Sequence, residues 1–121
     1  MKPVWIVDDD RSIRWVFEKV LSREGISYNS FASAREVLDA LSGGAPQVLI
    51  SDIRMPGMSG LDLQAKLNAD RCPIPTIFIT AHGDEDMRLQ AMRGGAVKFM
   101  VKPFDCAILL ESVRAALEAD G

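Results

Sequence analysis

The chain has 121 residues, 48% hydrophobic and 26% charged, with a net charge of −3. That length supports one domain with its own core, and the composition excludes disorder. The acidic balance argues against direct nucleic-acid binding or membrane-surface affinity, and no apolar run nears the roughly 20 residues that span a bilayer.

Short apolar runs alternate with helix-period segments along the whole chain, the pattern of a (βα)5 fold of the α/β class. Val4-Trp5-Ile6-Val7 reads as the first strand and runs into Asp8-Asp9-Asp10. A helix follows from Arg11 to Glu24, with Ile13, Val16, Phe17, Val20 and Leu21 spaced along one buried face and Gly25 as its stop. Ile26 to Phe31 alternates apolar and polar residues, as an edge strand does. Ser33 and Glu36 form a capping-box signature ahead of Val37, Leu38 and Leu41, and Gly43-Gly44 ends that helix.

Val48-Leu49-Ile50-Ser51 is a continuous run suited to a strand covered on both faces, and it leads into Asp52. The loop from Ile53 to Gly60 is rich in turn formers, and Ser59 with Asp62 caps a helix that turns Leu63 and Leu67 inward. Pro73 and Pro75 bracket the entry to a fourth strand, Ile77-Phe78-Ile79, which leads into Thr80. Asp84 caps a fourth helix with sparse apolar positions at Met87, Ala91 and Met92, stopped by Gly94-Gly95. Val97 through Val101 leads into Lys102-Pro103, and Asp105 caps a last helix carrying Leu109, Val113, Ala116 and Leu117 on one face.

Four of these strands therefore end on polar residues: Asp8 to Asp10, Asp52, Thr80 and Lys102. Ligand sites in open parallel sheets lie at the carboxyl ends of the strands. Carboxylates, a hydroxyl and an ammonium gathered there suit a divalent cation and a phosphoryl group. Singly, each has a blander reading. Aspartate is a common helix cap, lysine an ordinary surface charge and threonine an ordinary strand residue. Joint placement is what favours a site. Cys72 and Cys106 match no metal spacing and read as reduced thiols of a cytoplasmic protein. Met1-Lys2-Pro3-Val4 has no secretory-leader character. Trp5 reads as a strand residue beneath a helix, and Trp15, off the buried stripe, as a partly exposed contact.

The stretches Val7-Asp8-Asp9, Ser51 through Gly60, Thr80-Ala81 and Lys102-Pro103-Phe104, in this order, make the chain resemble the receiver domain of a bacterial two-component response regulator. The resemblance covers essentially the whole chain. It implies a flavodoxin-like, doubly wound sandwich with a five-stranded parallel sheet in the order 2-1-3-4-5. It implies a phosphoacceptor signalling domain rather than an enzyme, taking a phosphoryl group from a histidine kinase onto Asp52. Mg²⁺ is the implied cofactor, with Asp9 and Asp52 as direct ligands, Asp8 direct or through water, and the backbone carbonyl of Arg54 as a further ligand. Lys102 and Thr80 match the groups that hold the phosphoryl oxygens. Thr80 and Phe99 match the switch pair, with Phe99 standing where tyrosine is commoner. The Lys102–Pro103 bond is expected to be cis. Asp10 either joins the pocket or lies just outside it, and His82 is either a solvated loop residue or, with Arg54, a tuner of hydrolysis.

The same resemblance implies a signalling face built from the fourth helix, fifth strand and fifth helix. Its partners would be the chain's own output domain or a second receiver, with no direct contact to nucleic acid or membrane. The whole chain, residues 1–121, reads as one receiver domain without an output domain. It ends at Asp120-Gly121, which favours an excised N-terminal domain of a transcription regulator over a stand-alone receiver.

Three rival readings belong to other classes. Asp8 through Ser12 faintly resembles the nucleophile loop of aspartate-dependent phosphohydrolases, but the chain is short for that class. A flavin site is disfavoured because an acidic pocket repels phosphate without metal. A phosphate-independent pseudo-receiver is disfavoured by the complete set Asp9, Asp52, Thr80 and Lys102. Finally, the first part of the chain resembles the nitrogen-regulation branch of receivers, and the part from Ile74 onward the nitrogen-fixation branch. An engineered recombinant joined near residues 55 to 65, with impaired signalling, is one account of that difference, and divergence of one natural protein is the other.

Overall fold

In the computed structural model, residues 3–119 are described, so readings that rest on Met1, Lys2, Asp120 or Gly121 lie outside the described residues. The elements in order are β1 (Val4–Val7), α1 (Arg11–Arg23), β2 (Tyr28–Phe31), α2 (Ala34–Ala40), a 3₁₀ turn (Leu41–Gly43) and β3 (Val48–Ser51). They continue with α3 (Gly60–Ala69), β4 (Thr76–Thr80), α4 (Glu85–Arg93), β5 (Lys98–Val101) and α5 (Cys106–Ala119). The five strands form one parallel sheet in the order β2-β1-β3-β4-β5. The (βα)5 expectation and the strand order both hold.

Side chains of a strand alternate between faces, and the core divides accordingly. Val4, Ile6, Val48, Ile50, Ile77 and Ile79 pack on one face with Phe17 and Leu21 of α1 and Leu109, Val113 and Ala116 of α5. Trp5, Val7 and Leu49 pack on the other with Ala34 and Val37 of α2 and Leu63 and Leu67 of α3. Trp5 is thus buried beneath α2, its ring centroid 4.9 Å from that of Phe31. Strands covered on both faces have no polar side to show, which explains the unbroken apolar runs of β1, β3 and β4.

Register brings the polar strand ends together. Val7 pairs with Ser51, so Asp8 and Asp52 leave the sheet side by side. Thr80 pairs with Val101, one residue before Lys102. Helix starts follow the caps read from sequence. The side chains of Ser33, Ser59, Asp84 and Asp105 accept the backbone N–H of Glu36, Asp62, Met87 and Ala107, respectively. Ser59 and Asp62 complete the reciprocal box. Glu36 instead takes the N–H of Ala32, one residue before the cap.

Differences lie at the sheet edges and in α4. β2 begins at Tyr28 rather than Ile26, and β5 at Lys98 rather than Val97. An edge strand has one ladder partner, so its ends are held by fewer hydrogen bonds. Ala91 is the buried residue of α4, while Met87 is half-buried and Met92 is exposed. That helix buries one small side chain, with Met87 packed at the edge of the same cluster.

Candidate functional site

Asp8 follows β1, Asp52 follows β3, Thr80 ends β4 and Lys102 follows β5, all at the carboxyl edge of the sheet. Asp8 and Asp52 are buried, 1% and 9% exposed, and Asp9 is exposed. A carboxylate oxygen from each of the three lies within 4.8 Å of the others. Lys102 Nζ stands 3.5 Å from Asp8 Oδ2 and 4.0 Å from Asp52 Oδ2.

Each buried carboxylate has one oxygen tied to the backbone. Asp52 Oδ1 accepts the Ile53 N–H at 2.8 Å, and Asp8 Oδ1 accepts the Asp10 N–H at 2.9 Å. The second oxygen of each faces the lysine. Burial pushes both carboxyls above the ordinary aspartate value. For Asp52, the Lys102 ammonium and the Ile53 N–H oppose that rise without cancelling it. For Asp8, the Asp10 N–H opposes it and the Asp52 charge adds to it. A desolvated acidic cluster with one lysine for three carboxylates lacks positive charge.

Thr80 is 1% exposed, and its Oγ1 accepts the His82 N–H at 3.4 Å, leaving its own proton to donate. His82 itself is exposed in the loop. Arg54 is exposed two residues past Asp52, and its backbone N–H helps to lower the Asp52 carboxyl. The Lys102–Pro103 peptide is cis. Phe99 is half-buried, packed with the cluster of Ile53, Leu61, Phe78, Ala91 and Ala96.

Asp10 stands apart from these groups. It is the N-cap of α1, with Oδ1 accepting the Ser12 N–H at 2.8 Å, and that bond holds its carboxyl below the ordinary value. The three adjacent aspartates therefore separate into a buried one, an exposed cluster member and a helix cap.

Two residues at the site were not singled out from sequence. Arg14 Nη1 donates to the backbone carbonyl of Asp8 at 2.7 Å. The signal for it was a cation near a helix N-terminus, where the helix dipole disfavours positive charge. Gly60 begins α3 directly against the Asp52 backbone, its N–H donating to Ile53 O at 2.8 Å. A Cβ there would lie 2.1 Å from the Asp52 carbonyl oxygen.

Residues 4–114 match the response regulator receiver domain family. The DNA-binding transcriptional regulator NtrC of Klebsiella pneumoniae is 50% identical over 101 residues, 84% of this chain and 22% of that protein. Nodulation protein W of Bradyrhizobium diazoefficiens is 44% identical over 117 residues, 97% of this chain and 52% of that protein. The chain thus spans about a fifth to about a half of the length of these relatives. The crystal structure of FixJ-N superposes with a TM-score of 0.88 at 36% identity, covering 98% of this chain and 94% of that one. Matches of this breadth run across residues 55 to 65, so single relatives align with both halves of the chain. The chain belongs to the response regulator receiver domain family.

Proposed function

We propose that Asp52 accepts a phosphoryl group from the phosphohistidine of a histidine kinase, and that the modified domain signals through α4, β5 and α5. The observation that carries this reading is the convergence of Asp8, Asp9 and Asp52 with Lys102 at the sheet edge. In the transfer, an Asp52 carboxylate oxygen bonds to phosphorus as the phosphorus–nitrogen bond breaks. The electron pair returns to the imidazole of the donor. The Ile53 N–H holds the carboxylate in place, Lys102 meets the charge on the phosphoryl oxygens, and Thr80 donates its hydroxyl proton to one of them.

The site suits Mg²⁺ on its chemistry: its donors are all oxygen, and two of its carboxylates are desolvated and short of positive charge. Asp9 and Asp52 would hold the ion directly, Asp8 directly or through water, and the Arg54 backbone carbonyl would add a ligand. Mg²⁺ supplies neutralisation of the carboxylates and of the phosphoryl oxygens. Chemistry at this site is confined to the domain's own phosphorylation and dephosphorylation.

The output face is supported by exposed apolar side chains. Leu89 and Met92 of α4, Val97 and Val101 at β5, and Ile108 of α5 are all exposed. Such a patch fits the chain's own output domain or a second receiver. Thr80 and Phe99 are the proposed switch, shifting an existing equilibrium of that face. The reading places the protein in the cytoplasm. Among the described residues no helix is long and apolar enough to cross a membrane.

Beryllofluoride, a phosphoryl mimic, tests the reading. With Mg²⁺ it is expected to shift the amide resonances of Thr80, Phe99 and α4 in the wild type and not in Asp52→Asn. Equal spectra with and without the mimic would overturn the reading.

A further inference from the structure

Asp9 is the exposed member of the acidic cluster, and among the described residues nothing donates to its carboxylate. Whether that carboxylate can reach the cluster therefore depends on where its backbone is held, through the two peptide planes that flank it. Each plane is held by one hydrogen bond. The Asp9–Asp10 peptide is held because Asp10 N–H donates to Asp8 Oδ1 at 2.9 Å. The Asp8–Asp9 peptide is held because Asp8 O accepts from Arg14 Nη1 at 2.7 Å. A peptide unit is planar, so fixing the Asp8 carbonyl also fixes the Asp9 N–H.

Arg14 is well placed for this. It lies one turn into α1, its own N–H donating to the carbonyl of the cap residue Asp10 at 3.1 Å. Its side chain is half-buried and folds back over the start of the helix to reach Asp8. The other polar atoms of Asp8 are engaged as well. Its N–H donates to Phe31 O, and Oδ2 faces Lys102. Asp8 is thus a rigid post, and Arg14 ties the Asp9 backbone to it.

We infer that Arg14 is a positioning residue for the cation site, holding the Asp8–Asp9 peptide so that the Asp9 carboxylate converges with Asp8 and Asp52. The inference rests on the reading of that cluster as a Mg²⁺ site. It carries a sign opposite to simple electrostatics. A guanidinium near a cation site repels the cation, so its removal by charge alone would tighten Mg²⁺ binding. Loss of positioning would weaken it.

Calorimetric Mg²⁺ titration of the wild type, Arg14→Met, Arg14→Lys and Arg11→Met separates the two. Arg11→Met removes a neighbouring helix-start charge without touching Asp8. Arg14→Met is expected to bind Mg²⁺ about 10-fold more weakly, as loss of an outer-shell partner does. Arg14→Lys, which keeps one donor, is expected to recover part of that loss, and Arg11→Met to bind at least as tightly as the wild type. Metal-free amide spectra should show Asp9 and Asp10 shifted in Arg14→Met, with the core unchanged. Arg14→Met binding as tightly as the wild type, or tighter, would overturn the inference. So would failure of both Arg14 variants to fold in chelator, which would make Arg14 a residue of the fold. Absence of Mg²⁺ binding by the wild type would instead remove the reading of the site itself.

Discussion

The backbone N–H of Lys102 donates to the carbonyl of Thr80 at 2.8 Å. The ammonium and the hydroxyl proposed to hold the phosphoryl oxygens are thus set by one rung between the ends of β4 and β5. Under the proposed switch, a shift of Thr80 would be passed to the strand that carries Phe99, whose ring lies against Gly83 in the loop leading to α4. A Cβ on Gly83 would lie 2.9 Å from Phe99 Cε1.

Thr80→Ala therefore separates charging from signalling. The variant is expected to keep the beryllofluoride shifts around Asp52 and lose those of α4. Full α4 shifts in Thr80→Ala, read by amide NMR, would contradict a switch through Thr80.

Burial raises the Asp8 and Asp52 carboxyls from the ordinary 3.8. Above that value the folded state holds more protons than the unfolded one, so the contribution of these groups to stability falls as pH rises through the raised values. In chelator, Asp52→Asn is expected to melt higher than the wild type, by a margin that grows as pH rises from the ordinary 3.8 through the raised values. Mg²⁺ should raise the wild-type melt, by about 1.4 kcal/mol at ten times its dissociation constant. A margin independent of pH, or a melt indifferent to Mg²⁺, would count against the desolvated cluster.

The start of α3 has no room for a side chain beside Asp52. Gly60→Ala puts Cβ 2.1 Å from Asp52 O and 2.9 Å from Ser51 Oγ. Because the closer atom belongs to the backbone, the strain falls on the loop that carries Asp52. The expected loss in a denaturant titration is about 1–3 kcal/mol. Gly43→Ala, where a Cβ meets nothing within 4 Å, should change stability by no more than about 0.5 kcal/mol. Equal stability of the two variants would refute the close approach.

α4 is fastened at its C-terminal end. Gln64 Nε2 donates to Ala91 O and Asn68 Nδ2 to Gly94 O, each at 2.9 Å, from the adjacent α3. The opposite end carries the Asp84 cap and follows the loop that leads out of Thr80. Gln64→Leu is expected to cost about 1 kcal/mol and to speed amide exchange at residues 91–96. Unchanged protection there would mean that α3 does not anchor the helix.

These tests also mark what sequence reading reaches. β3 and the helix starts were legible because an apolar run bounded by turn formers, or a cap two or three residues before the N–H it accepts, is a local signal. The strand order and the cis Lys102–Pro103 bond came through family resemblance, since no local pattern encodes them. The register within Asp8-Asp9-Asp10 was open because all three residues are chemically equal. The register that pairs Val7 with Ser51 is what sets Asp8 beside Asp52. Arg14 and Gln64 were hidden for a related reason. Their partners are backbone carbonyls, which leave no mark in a sequence.

The central claim is that Asp52 takes the phosphoryl group, and intact mass after incubation with acetyl phosphate and Mg²⁺ tests it most directly. The account predicts a gain of about 80 Da, the mass of one HPO₃ group, lost in chelator and in Asp52→Asn. A gain that persists in Asp52→Asn would contradict the assignment. No gain, together with no response to beryllofluoride, would make this chain a pseudo-receiver.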